Sequence, residues 1–372
     1  MKVPNGAEII GLFESFSPRG YAMEGDPVGL QIGRLNTPVS KVMIALDVLE
    51  EVVDEAIQKG VQLIIAHHPL LYRPVKKIMT DVPAGRIIEK LIKNDIAVYA
   101  AHTNLDVAIN GVNDLLAEAL ELENTEVLVP TYHPSYKKLV VYVPKDAEQL
   151  VRDTLGNAGA GNIGDYSHCS FTSVGIGRFL PGEDANPTIG TQGKPQDVEE
   201  VRIETIFHEE IEKKLLSAMI KSHPYEEPAY DVYRLENKPK PLGLGRIGTL
   251  REEMSLEQFA GHVKAALDVN TVRAVGDMNS RIKRVAVLGG DGNKYITQAK
   301  FKGADVYVTG DMYYHTAHDA MMLGLNIVDP GHNVEKVMKK GVAAILTSLS
   351  NEKNFEVDFI ASEVNTDPFK FI

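Results

Sequence analysis

VMIALDVLEEVVDEAIQKGVQLIIAHHPLLY, residues 42–72, reads as strand, helix, strand: an apolar run ends at Asp47, an amphipathic segment closes on Lys59 and Gly60, and a second apolar run stops at His67 and His68. The glycine can take the left-handed turn that ends a helix and returns the chain to the sheet. The pattern recurs without a gap downstream as VAVLGG (285–290), a helical stretch, Lys302 and Gly303, then ADVYVTGDMYYH (304–315). Val42 aligns with Val285 and Gly60 with Gly303, which is the signature of a duplicated α/β lobe. A third strand follows at a different spacing in each copy. It superposes IAVYAAHTNLD (96–106) on LNIVDPGHNVE (325–335) and sets Asp106 opposite Glu335. The histidines are not duplicated, because Gly310 and Asp311 stand at the positions of His67 and His68.

Between the copies the rhythm changes. KLVVYVPKD, a helix over about 147–157, HCSFTSVGIG, VEEVRIETI, a helix over about 208–222, and AYDVYRL give β-α-β-β-α-β, the ferredoxin-like order. The connection GRFLPGEDANPTIGTQGKPQD is rich in Gly, Pro and polar residues and is expected to be mobile. Boundaries near Thr125 and Asn237 divide the chain into a first lobe (1–125), an insert (126–237) and a second lobe (238–372).

The chemistry collects where apolar runs stop. His67 and His68, Asp106, and His332 with Glu335 follow strands of the two lobes, and in open α/β sheets ligands gather at the carboxyl ends of strands. Imidazole and carboxylate without cysteine form a ligand set for zinc, manganese or iron, and five such groups suit two divalent ions better than one. His332 and Glu335, three apart on the first turn of a helix, share one face. Singly, each motif has a plain reading as a turn or a helix cap; their joint occurrence at equivalent strand ends favours a metal site. Asp311, His315, His318 and Asp319 add a second titratable helix face, from which His315 is the candidate acid or base; the plain alternative is a solvated face. GGDG at 289–292 lacks the spacing of a nucleotide loop and is read as a tight turn.

Composition narrows the class. The chain is 44% hydrophobic and 24% charged, as expected of a globular protein, and its net charge of −12 disfavours a broad nucleic-acid surface. No apolar run reaches membrane-spanning length, the first residues lack a signal-peptide core, and Cys169 is alone, so a reducing, cytoplasmic setting is expected.

AHHPLLY, HTNLD, TGDMYYH with the HDA after it, DPGHNVE and GDPVGLQIG (25–33) together resemble the Nif-three-like dinuclear metal centre proteins, labelled GTP cyclohydrolase 1 type 2 homologues. HCSFTSVGIGRF (168–179) and SHPYEEPAYDVY (222–233) resemble the PII-like or CutA-like insert of a longer bacterial subgroup. The resemblance implies two duplicated three-layer α/β lobes with an inserted ferredoxin-like domain, and a homohexameric toroid. It also implies two divalent metal ions per subunit, zinc foremost with iron or manganese as alternatives, held by His67, His68, Asp106, His332 and Glu335. Many members separate the last His and Glu by four positions, where this chain has three, and read DNVGL where it has Asp26-Pro27-Val28-Gly29. The expected function is metal-dependent hydrolysis of a small anionic, nucleotide-like or phosphorylated substrate. The alternative is a non-enzymatic metal-binding or sensor protein whose insert takes a small effector.

Overall fold

The computed structural model describes residues 2–372. The chain divides into two compact units, one made of the residues up to Tyr132 together with Leu242–Ile372, the other of His133–Pro241. In chain order the first unit opens with α1 (Gly6–Phe16), β1 (Gly29–Ile32), β2 (Lys41–Ala45), α2 (Glu50–Gln58), β3 (Leu63–Ala66) and α3 (Pro83–Lys93). It continues with β4 (Ala97–Ala100), α4 (Thr103–Val107), α5 (Val112–Ala119) and β5 (Glu123–Tyr132). The second unit holds β6 (Tyr136–Pro144), α6 (Glu148–Asn157), β7 (Ser170–Phe179), β8 (Gln196–His208), α7 (Glu212–Ser222) and β9 (Tyr230–Arg234). The first unit resumes with β10 (Leu242–Ser255), α8 (Leu256–Ala266), β11 (Arg273–Val275), β12 (Arg281–Asp291), α9 (Ile296–Phe301) and β13 (Val306–Gly310). It ends with α10 (Tyr314–Met322), β14 (Asn326–Asp329), α11 (Val337–Glu352) and β15 (Asp358–Ala361).

The duplication is visible in the strand order. One sheet of the first unit runs β1-β4-β3-β2-β15 and the other β11-β14-β13-β12-β10-β5. In each, three parallel central strands carry an antiparallel edge strand, β1 on β4 and β11 on β14. The halves also exchange strands. The late strand β15 pairs with β2 in the first sheet, whereas β5, from the first half, pairs with β10 in the second. This exchange ties both lobes into one unit, and β5 runs past Thr125 to Tyr132.

Alternation along the strands explains the layers. Val42, Ile44, Leu63, Ile65 and Tyr99 face the same core as Val285, Val287, Val306 and Val328, and that core is filled by α1, α5, α8 and α11 through Phe13, Leu116, Phe259 and Leu346. On their other faces Met43, Ile64 and Val98 pack under α2 and α3, and Ala286, Tyr307 and Ile327 under α9 and α10. Strands buried on both faces need the continuous apolar runs seen in the sequence. Each lobe is thus a sheet between two helical layers, and the two lobes share the middle one.

In the second unit the β-α-β-β-α-β order expected from the sequence is the order found, folded as an antiparallel sheet β7-β8-β6-β9. Leu139, Val141, Ile203 and Phe207 pack against Val151, Leu155, Leu215 and Met219 of α6 and α7. The connection between β7 and β8, expected to be mobile, is tethered: Asn186 N donates to Glu226 Oε1 (2.8 Å) and Thr188 Oγ1 to the Pro224 carbonyl (2.8 Å).

Candidate metal centre

The parallel strands end on the residues singled out from the sequence. His67 and His68 follow β3, His102 follows β4, Asp106 lies in α4, and His332 and Glu335 lie in a 3₁₀ turn (His332–Lys336) between β14 and α11. That turn, rather than the first turn of an α-helix, carries the last two residues. Residues three apart eclipse in 3₁₀ geometry, so the three-residue spacing brings His332 Nε2 to 3.2 Å from Glu335 Oε2.

These groups converge. The ligand atoms of His67, Asp106 and Glu335 lie within 4.8 Å of one another, as do those of His68, His332 and Glu335 and those of His67, His68 and His102. His67 Nε2 stands 3.6 Å from Glu335 Oε1 and 3.7 Å from Asp106 Oδ1, whereas His68 Nε2 stands 3.1 Å from Glu335 Oε2. The two oxygens of Glu335 therefore face different sets of histidines.

A second ring of groups fixes the imidazoles. His67 Nδ1 donates to the Ala101 carbonyl (2.9 Å), His68 Nδ1 to Asp47 (2.7 Å), His102 Nδ1 to Asp26 (2.8 Å) and His332 Nδ1 to Asp311 (2.6 Å). With each Nδ1 held from outside, each ring turns Nε2 to the cluster, the arrangement that orients metal-binding histidines. Asp311 occupies a left-handed conformation (φ 54°), one that Asp tolerates better than most residues. The asymmetry of the repeat thus has a structural meaning: where the first lobe offers His68, the second offers the carboxylate that holds His332.

The surroundings leave room for the carboxylates. A Cβ built at Gly289 or at Gly290, the latter at φ +64°, would stand 2.9 Å from Glu335 Oε1. Gly289, Gly290 and Asp291 of GGDG thus close β12, shaped for Glu335, and Gly292 leads into a 3₁₀ turn. Asn113 Nδ2 donates to the Asp106 carbonyl (3.0 Å) and its Oδ1 accepts from Gly289 N (3.0 Å), joining the two lobes behind the cluster. Asp106 Oδ1 is buried without a hydrogen-bond partner among the described residues. A buried carboxylate oxygen so placed is costly unless a cation satisfies it.

Charge follows the same logic. Burial would lower the pKa of His68, but hydrogen bonds to Asp47 and Glu335 outweigh it and push it up to about 10. The Glu335 hydrogen bond lifts His332 to about 9 against desolvation. Burial works to raise Glu335, yet the neighbouring imidazoles, His67 foremost, hold it well below the usual carboxylate range. Burial raises Asp106. Protons on the imidazoles are what the protein groups alone would use to balance these carboxylates, which is the balance a divalent cation supplies.

Sequence reading identified five members of the cluster and missed His102 as a sixth; its signal was its place directly after β4, beside Asp106. Thr103 and Asn104, between His102 and Asp106, turn their donors away from the cluster, while Asn104 Oδ1 has no hydrogen-bond partner among the described residues. Thr103 donates to Asp26, and Asn104 is buried against Ser17. His315 stands exposed on α10 beside Tyr314 and belongs to none of the three groups. His67 and Glu335 are buried, while His332 is 38% exposed, so the cluster opens on the His332 side.

The whole arrangement spans both halves of the chain, and so does the likeness to known proteins. Residues 4–368 match the Duf34/NIF3 (NGG1p interacting factor 3) family. The chain belongs to this family. The GTP cyclohydrolase 1 type 2 homolog of Bacillus subtilis (strain 168) is 64% identical over 371 residues, with both chains covered in full, and that of Halalkalibacterium halodurans is 58% identical over 372 residues, also in full. Among solved structures, a Bacillus cereus protein related to NIF3 is 63% identical with a TM-score of 0.94, and a Staphylococcus aureus protein is 37% identical with a TM-score of 0.76; each match covers both chains completely.

Proposed function

We propose that this NIF3-family chain is a hydrolase dependent on two divalent metal ions, zinc first and iron or manganese as alternatives. The observation that carries the reading is Glu335, whose Oε1 faces His67, itself beside Asp106, while Oε2 faces His68 and His332. A carboxylate so shared is suited to bridging two ions, with His67 and Asp106 completing one set and His68 and His332 the other. When bound, such ions acidify water and polarise a substrate oxygen. The protein's part is to hold the four histidines rigid through Asp26, Asp47, Asp311 and the Ala101 carbonyl, and to leave the His332 side open to substrate.

Beside that opening, Arg273, Asp311, Gly331, Phe369 and Phe371 line a cavity of about 300 Å³. Its volume suits a small molecule, and its two phenylalanines suit a flat ring, which fits a nucleotide-like or phosphorylated substrate. His315 is the candidate acid or base, acting from outside the cluster. The homohexameric toroid belongs to the same reading, and sedimentation as six chains supports it where a monomer would remove it.

The test is a panel containing GTP and simple phosphoesters, offered to metal-reconstituted protein and to Asp106→Ala. Turnover that requires both metal and Asp106 is expected. Equal rates in the two proteins would remove this cluster from the reaction. His315→Ala should keep its metal and lose about 10²–10⁴-fold in turnover; unchanged turnover would strip His315 of the role.

A further inference from the structure

The second unit contains a cavity that the metal centre does not use. It measures about 270 Å³ and is walled by Phe179, Tyr225, Pro181, Pro187 and Ile189. Its residues come from four stretches of sequence: the end of β7, the tethered connection after it, Glu200 of β8, and the Tyr225–Ala229 segment before β9. The two insert motifs singled out in the sequence thus meet here.

At the base of these apolar walls lies Glu200 of β8, only 9% exposed. On the strand, Val201, Ile203 and Phe207 point into the helix-covered core, so Glu200 lies on the opposite face, where the tethered connection covers it. Tyr225 donates its hydroxyl to Glu200 Oε1 at 3.0 Å. The other oxygen, Oε2, accepts from no donor among the described residues and occupies space that only a glycine leaves: a Cβ at Gly177 would stand 2.0 Å from it. Arg178, the cation among the lining residues, is turned to Asp197 (3.4 Å), and Glu226 and Glu227 add further negative charge to the lining. A carboxylate set beside apolar and aromatic walls, with one oxygen given no protein donor, is placed to accept a charge-assisted hydrogen bond from a ligand.

We propose that this cavity binds a small organic cation, a planar or aromatic body carrying a protonated amine or amidine, with the nitrogen donating to Glu200 Oε2 and the body packed between Phe179 and Tyr225. The aromatic faces add to the attraction for a cation, and the volume sets the scale at one ring with its substituents. The site is independent of the metal centre and of the reaction proposed for it.

The test uses the full-length, metal-loaded protein and three probes of one shape, benzamidinium, neutral benzamide and benzoate, titrated by calorimetry and by ligand-observed NMR. Benzamidinium should bind at least about tenfold more tightly than benzamide, the worth of one charge-assisted hydrogen bond, and benzoate should not bind. Glu200→Gln, nearly isosteric, should remove that preference. Tyr225→Phe keeps the ring and the carboxylate and should retain the preference for benzamidinium, which guards against a folding defect in the first variant. No binding of benzamidinium, equal affinity for benzamide, or a preference that survives Glu200→Gln in folded protein would overturn the proposal.

Discussion

At the scale of single residues, the cluster is decided by which nitrogen each histidine turns inward. Asp47, Asp26 and Asp311 take the outer nitrogens of His68, His102 and His332, so their loss should be felt at the metal without any ligand being touched. Asp47→Ala or Asp311→Ala should lower metal affinity about 10–100-fold, read by competition with a chelating dye; unchanged affinity would mean that the rings are held by packing alone. The raised pKa values of His68 (about 10) and His332 (about 9) fix the sign of the pH dependence. Both values lie above the ordinary 6.5, so the stability these protonated imidazoles lend the metal-free fold is complete below about pH 6.5 and fades as pH rises through 9 to 10. Metal must displace those protons, so binding at neutral pH should release protons and tighten as pH rises towards 9, as calorimetry in buffers of different ionisation enthalpy will show. Affinity that is flat between pH 6 and 9 would contradict the charge balance described here. The five ligand candidates were legible because they stand together at strand ends, whereas His102 was not. Its place after β4 marked it, but the pairing with Asp26 that turns its ring to the cluster is long-range and leaves no mark on the sequence around it.

At the scale of elements, the close approach of β12 to the 3₁₀ turn is what lets Glu335 reach both sets of histidines. Gly290→Ala puts a methyl group 2.9 Å from Glu335 Oε1 on a backbone at φ +64°, a conformation that costs a non-glycine residue about 1–2 kcal/mol. The variant should melt earlier and retain less metal; full metal content would show that the carboxylate can shift without loss. A second joint is the buried Arg246, which pairs through two nitrogens with Asp114 of α5 and donates to the Gly243, Gly245 and Ala108 carbonyls. Arg246→Ala should destabilise the fold by about 3–5 kcal/mol in chemical denaturation, because it strands a carboxylate and three carbonyls; a loss under 1 kcal/mol would mean that water replaces the guanidinium freely. Strand, helix and repeat were readable from apolar periodicity. The exchange of β15 and β5 between the halves was not, since an edge strand's partner is set by long-range pairing that leaves no mark on its own sequence.

At the scale of the whole molecule, β5 ends at Tyr132 and β10 begins at Leu242, and these two residues are paired across the hairpin. Joining them by a two-residue Asn-Gly turn in place of His133–Pro241 should therefore leave the first unit folded and metal-binding, as circular dichroism and metal content will report. An unfolded product would make the second unit necessary to the first. Cutting at Thr125 instead would remove most of β5, the strand that carries the first half of the chain into the second sheet. The central claim is that one carboxylate, Glu335, is shared by two divalent ions, and elemental analysis of purified wild type and Glu335→Gln tests it most directly. Two ions per chain in the wild type and one or none in the variant is the predicted result; a single ion in the wild type, or two retained by Glu335→Gln, would contradict it.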